Sequence, residues 1–207
     1  MAAKYKVTYF PIMGLGEPIR FLLAYMGEDF EDCRVKWGEW PDIKPNTPWG
    51  KMPILEIEGK AGVTQSQAVT RFLARQAGLC GDGAWEDLKI DEIVSVVDEL
   101  RGELAKYYYE RDEERKASLK EPVLTQTVPF YMKKINTLIQ ENKGYLANGK
   151  FSWADVFFAA ISDHMSNMNG SDITADYPQA KALRERVYAI PKIKAWVDKR
   201  PKDVPMF

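Results

Sequence analysis

The chain has 207 residues, 45 % of them apolar, with 29 Lys and Arg against 30 Asp and Glu and a formal net charge of −1. That is apolar side chain enough for one large domain or two small ones and excludes a disordered chain, while balanced charge without a basic stripe interleaved with aromatics excludes nucleic acid as a partner. No apolar run approaches the ~18 residues of a membrane span, and the start MAAKYKVTYF lacks the parts of a signal peptide, so a cytoplasmic chain without a membrane partner is expected.

Residues 4–10 (KYKVTYF), rich in β-branched and aromatic side chains, predict a strand; Pro11-Ile12-Met13-Gly14-Leu15-Gly16 breaks it, and a helix follows from Glu17 to about Met26. Phe30 to Lys36 predicts a second strand. A polar loop through Trp37, Trp40, Pro41, Pro45, Pro48 and Trp49 comes next, long enough for a compact domain to suggest a functional segment. Pro53 to Ile57 predicts a third strand, Glu58 to Gly62 supplies turn chemistry, and Val63-Thr64 closes a hairpin. Ser66 suits an N-cap ahead of a helix over 68–77.

The glycine-rich segment Gly78-Leu79-Cys80-Gly81-Asp82-Gly83 marks a domain boundary, and strand signals vanish after it. Ile93, Val97, Leu100, Leu104 and Tyr107 repeat at steps of four and three, one apolar stripe of a helix. Ser152 and Asp155 have the spacing of a capping box, and Val156 to Ile161, apolar on every side, predict a buried helix. Pro191 and Pro201 limit the last helix. The expected organisation is a small β/α domain over 1–80 and an all-helical domain over 85–207. His164, the single histidine, has no clustered ligands, so neither a metal centre nor a Ser/His/Asp triad is expected and His164 reads as helix packing. Cys33 and Cys80 lie outside any C-x-x-C spacing and read as plain thiols.

Tyr9 at a strand end, Trp40-Pro41-Asp42-Ile43-Lys44, Gly50-Lys51-Met52-Pro53-Ile54-Leu55 and Gln65-Ser66 resemble, in order and spacing, the cytosolic glutathione transferases, the sigma class above all. Ser152-Trp153-Ala154-Asp155 and Ala189-Ile190-Pro191-Lys192-Ile193-Lys194-Ala195-Trp196 resemble the same family's C-terminal signatures, so the likeness spans nearly the whole chain. The texture is most similar to arthropod members, including insect ones, and to the haematopoietic prostaglandin D synthases. The resemblance implies a thioredoxin-like α/β domain followed by an all-α domain, glutathione as co-substrate, and its transfer to hydrophobic or lipid-derived electrophiles, with glutathione peroxidase activity as a second reaction.

A glutathione thiol with a reference pKa of ~8.5 is only a few per cent ionised at neutral pH, yet the thiolate is the nucleophile. The resemblance makes Tyr9 the group that stabilises it. A neutral phenol suffices as hydrogen-bond donor, whereas a tyrosinate base would need a pKa of ~10 lowered by several units with no evident cation nearby. The resemblance further places Trp40, Lys44 and Lys51 around the glycyl carboxylate, and Gln65 and Ser66 on the γ-glutamyl carboxylate at a helix N-terminus. It makes the Met52–Pro53 bond cis, with the Met52 backbone pairing with the cysteinyl unit. In a homodimer, Asp98 or Glu99 reaches the partner subunit's γ-glutamyl amine. The electrophile is expected between the domains, against Phe10, Met13, Gly14, Leu15, Arg101, Tyr107 and Phe157. Leu15 stands where prostaglandin-isomerising relatives resemble one another in having arginine, and Lys106 where an aromatic is frequent, which speaks against isomerisation. The alternatives are a structural, crystallin-like protein on the same scaffold and a prostaglandin D synthase.

Overall fold

The computed structural model describes residues 3–204 and 206, and the chain divides into two compact units: 1–79 with 188–207, and 80–187. In the first unit a three-stranded sheet has the order β2-β1-β3, from β1 (Tyr5–Tyr9), β2 (Phe30–Arg34) and β3 (Ile54–Ile57). β1 and β2 run parallel with Tyr9 opposite Arg34, and β1 and β3 run antiparallel with Thr8 opposite Ile54. The parallel pair needs a crossover, supplied by α1 (Glu17–Met26), which starts with Pro18 in its first turn and ends at the left-handed Gly27. α1 buries Ile19, Phe21, Leu22 and Leu23 completely. The expected hairpin after β3 reduces to one antiparallel bridge, Leu55 to Val63.

The segment between β2 and β3 is not an open loop. It folds into single turns at Trp37–Glu39, α2 (Trp40–Ile43), Lys44–Asn46 and Pro48–Gly50, and Pro41, Pro45 and Pro48 sit in first turns, where the missing N–H costs nothing. α3 (Ser66–Gln76) then packs on α1, with Val69, Thr70, Leu73 and Ala74 buried.

The second unit comprises α4 (Ala84–Tyr108), α5 (Glu113–Pro122), α6 (Val128–Glu141), α7 (Trp153–Asn169) and most of α8 (Pro178–Tyr188). The buried stripe of α4 runs Ile90, Val94, Val97, Leu100, Leu104, Tyr107, so the expected stripe holds except that Ile93 sits half-buried at its edge. Between α5 and α6 the chain widens into a π-turn at Val123–Thr127, directly after Pro122, which has no N–H to offer an α-helical bond. α7 starts with the expected capping box and is buried continuously from Trp153 to Ser162. Its Asp155 accepts from the Leu146 and Ser152 backbone N–H groups at 2.8 and 2.7 Å, and burial pushes its carboxyl up to about 6. His164 packs inside the helices as expected, burial and the charge of Arg101 pushing it down to about 4.

The last helix, α9 (Pro191–Lys199), starts at Pro191 and stops before Pro201. An all-helical domain over 85–207 would hold it, but its polar contacts lie in the first unit. The Trp196 indole and Arg200 both donate to the Glu17 carboxylate, at 2.8 and 2.9 Å.

Candidate active site

Strand register gathers the candidate residues of the first unit at one end of the sheet. β1 ends at Tyr9, the antiparallel β3 begins just beside it after Pro53, and parallel β2 leads from the same end into the 37–50 segment. Val63 pairs with Leu55, so Thr64, Gln65 and the start of α3 run back toward that end too. Sequence separation is thereby cancelled by sheet topology.

Tyr9 is nearly buried, and its ring lies against a glycine loop that no side chain could occupy. A Cβ on Gly14, at φ +39°, would meet the Tyr9 hydroxyl at 2.9 Å, and one on Gly16 would meet its Cδ1 at 2.8 Å. The same loop presents a donor: the Leu15 backbone N–H reaches the Tyr9 Oη at 3.3 Å. A phenol oxygen that accepts a hydrogen bond becomes a better donor of its own proton. Sequence reasoning missed this backbone group, although the Gly-x-Gly spacing after the strand was its only available signal.

Phe10 stacks on Trp37, ring centroids 4.3 Å apart, and meets Trp40 edge-on at 5.5 Å. Trp40 is therefore fixed beside the residue that follows Tyr9. Lys44 and Lys51 are exposed cations on the same segment, with the left-handed Trp49 (φ 56°) and Gly50 (φ +60°) turning the chain between them. The Met52–Pro53 bond is cis, and neither the Met52 N–H nor its C=O is engaged by another described group.

Ser66 is not the N-cap that its residue type suggests. It is the first residue of α3, and Gln65 takes the cap position at φ 72°, ψ 92° without a side-chain cap bond. A non-glycine residue in that region is strained, and such strain persists where surrounding structure fixes a functional backbone. The effect is to place the helix N-terminus, with its positive dipole end, at Ser66. The Thr64 hydroxyl beside it is buried without a partner, a polar group that sequence reasoning overlooked. Cations, an indole and a helix N-terminus at one sheet end fit a ligand with two carboxylates.

Among the residues expected from the helical unit, Arg101 bonds the Asp98 carboxylate one turn away, and Glu99 is exposed and hydrogen-bonds Tyr131. Tyr107 is buried and donates to the Met168 carbonyl, and Phe157 is completely buried, so both stand in the core of that unit. No cluster of metal-ligating side chains occurs among the described residues.

Beneath the Tyr9 loop lies an ionic network that sequence reasoning did not foresee. Glu17 and Arg20 are fully buried; Arg20 bonds Glu17 at 3.0 Å and Asp32 at 2.8 Å, and donates to the carbonyls of Ile12 and Met13. Arg34 shares Asp32 at 2.8 Å.

A three-stranded sheet whose central strand ends in a buried tyrosine, with a cis-proline ahead of the antiparallel strand and a helix N-terminus at the same end, defines a thioredoxin-like α/β unit, and among the described residues every element after α3 is a helix. The family models "Glutathione S-transferase, N-terminal domain" and "Glutathione S-transferase, C-terminal domain" match residues 5–75 and 98–200. "Glutathione S-transferase S1" of Drosophila melanogaster is 42 % identical over 95 % of this chain and 79 % of its own length. "Hematopoietic prostaglandin D synthase" of Gallus gallus is 36 % identical over 96 % of this chain and 97 % of its own. A solved structure titled prostaglandin synthase D of Nilaparvata lugens is 47 % identical, with a TM-score of 0.92 covering 98 % of this chain and 100 % of that one. This chain belongs to the glutathione S-transferase family.

Proposed function

We propose that the protein is a sigma-class enzyme that binds glutathione at the sheet end bearing Tyr9 and conjugates it to hydrophobic or lipid-derived electrophiles. The observation that supports this reading is the Tyr9 hydroxyl, backed by the Leu15 N–H at the end of the central strand. A charge-assisted hydrogen bond from Tyr9 to sulfur contributes about 1.5–3 kcal/mol, one to two units of thiol pKa, which makes the thiolate a major species at neutral pH. Trp40, Lys44 and Lys51 hold the glycyl carboxylate. Met52 pairs with the cysteinyl backbone beside Pro53, and Gln65 and Ser66, at the α3 N-terminus, take the γ-glutamyl carboxylate. The half-buried Phe10, Met13 and Leu15, with Gly14 between them, offer apolar surface for the electrophile next to the sulfur. The same thiolate reduces organic hydroperoxides.

The working form is a cytoplasmic homodimer in which Asp98 or Glu99 meets the γ-glutamyl amine in the partner subunit. Exposed Trp49, Trp85, Leu88 and Phe130 are apolar surface for a second copy to cover, and sedimentation tests it. No helix among the described residues is long and apolar enough to cross a membrane.

Adding glutathione produces a thiolate absorption band that Tyr9→Phe removes while the fold and glutathione binding persist. An unchanged band in Tyr9→Phe refutes the assignment. Prostaglandin isomerisation, suggested by the names of two relatives, is the second reading, and direct product analysis with the endoperoxide separates it from conjugation.

A further inference from the structure

The loop that backs Tyr9 is fastened from the far end of the chain. The Met13 N–H donates to Asp203 Oδ1 at 2.7 Å, and the Val204 N–H donates to the Pro11 carbonyl at 2.8 Å. The Val204 carbonyl in turn accepts from the Trp37 indole at 3.1 Å, and Trp37 is stacked on Phe10. Residues 203–204 thus tie the loop start at Pro11, its middle at Met13 and the aromatic beside Tyr9 into one piece, all within the first unit.

From below, Arg20 takes the carbonyls of Ile12 and Met13, so the Met13 peptide planes are fixed on both faces. What this leaves defined is the direction of the next peptide N–H groups, and the one at Leu15 points at the Tyr9 oxygen. Asp203 lies in a segment without periodic pattern, yet it sets a half-buried carboxylate against a loop amide. Burial raises the Asp203 carboxyl, the Met13 N–H lowers it, Glu17 raises it, and Arg34 and Arg200 lower it.

We propose that Asp203 and Val204 form a strap that positions the Leu15 amide on the Tyr9 hydroxyl, making Asp203 a positioning residue for thiolate formation rather than a fold-stabilising contact. The inference rests on the reading of Tyr9 as thiolate donor given above. Asp203 touches neither glutathione nor electrophile; it acts through Met13 and the loop. Its removal lets the loop relax, the Leu15 N–H leaves the phenol oxygen, and Tyr9 becomes a weaker donor.

The test compares Asp203→Ala, Asp203→Asn and Val204→Pro with the native enzyme and Tyr9→Phe, measuring the pKa of bound glutathione from the thiolate band and from the pH profile of kcat/KM. One ordinary hydrogen bond lost at second hand corresponds to a rise of about half to one unit, so the acid limb falls about three- to tenfold in Asp203→Ala. The alkaline plateau stays within about twofold, because the thiolate forms unaided at high pH, and so does the glutathione Kd measured at about pH 5, where the thiol is the bound form. Asparagine keeps the Oδ1 acceptor for Met13 and restores most of the loss; proline at 204 removes the other donor and reproduces it without touching Asp203. Should Asp203→Ala unfold, Val204→Pro and Asp203→Asn carry the comparison. A thiol pKa unmoved in folded Asp203→Ala and Val204→Pro, while Tyr9→Phe does move it, overturns the strap alone. A pKa unmoved in Tyr9→Phe as well overturns the reading beneath it.

Discussion

Replacing Gly16 with alanine puts a methyl carbon 2.8 Å from Cδ1 of Tyr9, 3.0 Å from Cγ and 3.1 Å from Cβ. The backbone of Gly16 tolerates alanine, with φ −77° and ψ −26°, so the conflict is with the ring alone. An ordinary contact begins near 3.4 Å, leaving a shortfall of about 0.6 Å (3.4 − 2.8) that either ring or loop must absorb. Tyr9 Cβ is held by strand β1, paired on both sides, so a yielding ring swings about that atom and its hydroxyl, at the far end, moves furthest. A donor displaced beyond hydrogen-bond range of the sulfur forfeits about 1.5–3 kcal/mol, raising the thiol pKa by about one to two units. The conjugation rate of a chloronitrobenzene near pH 6.5 then falls about ten- to a hundredfold, whereas above pH ~9, where free thiol ionises anyway, little is lost. The assay is a pH profile of kcat/KM with thermal unfolding as the control for fold. A folded Gly16→Ala enzyme whose acid limb coincides with the native one would refute the claim that the ring's position sets sulfur ionisation.

Asp155→Ala leaves the buried Leu146 and Ser152 N–H groups without acceptors, and at about 1–3 kcal/mol per unsatisfied group the variant loses on the order of 2–5 kcal/mol in urea unfolding; Asp155→Asn, which keeps one acceptor, loses less. His164 and Asp155 tilt stability in opposite senses. His164, about 4 folded against 6.5 unfolded, contributes stability above pH 6.5 that is lost as pH falls toward 4, about 3 kcal/mol in full. Asp155, about 6 folded against 3.8, contributes stability below pH 3.8 that is lost as pH rises through 6. The two nearly cancel, so His164→Gln should gain stability relative to the native protein between pH 6.5 and 4, read from unfolding free energies at several pH values; an unchanged difference would show that His164 is not buried neutral.

Local chemistry made some of this legible in advance. The helix at Glu17–Met26, the Ser152–Asp155 box and the proline limits of the last helix depend on neighbours a few residues apart, which a sequence displays. Ser66 misled because a serine before a helix reads as a cap, whereas an unusual backbone at Gln65 moves the cap back by one. Glu17 and Arg20, three apart, look like a solvated surface pair. They are buried because Asp32, Trp196 and Arg200 arrive from elsewhere in the chain, and no local pattern reports that. Tyr107 and Phe157 carry helical periodicity that suits a core as well as a pocket, and the structure places them in the core.

The discontinuity of the first unit bears on how the protein is made. Synthesis delivers Glu17 and Arg20 well before Trp196 and Arg200, so a nascent chain carries a carboxylate bound for the interior with only one of its three partners from this network in hand. Residues 80–187 have all emerged by then and hold their own core, whereas residues 1–79 must wait for the segment from 188 onward before their unit can close.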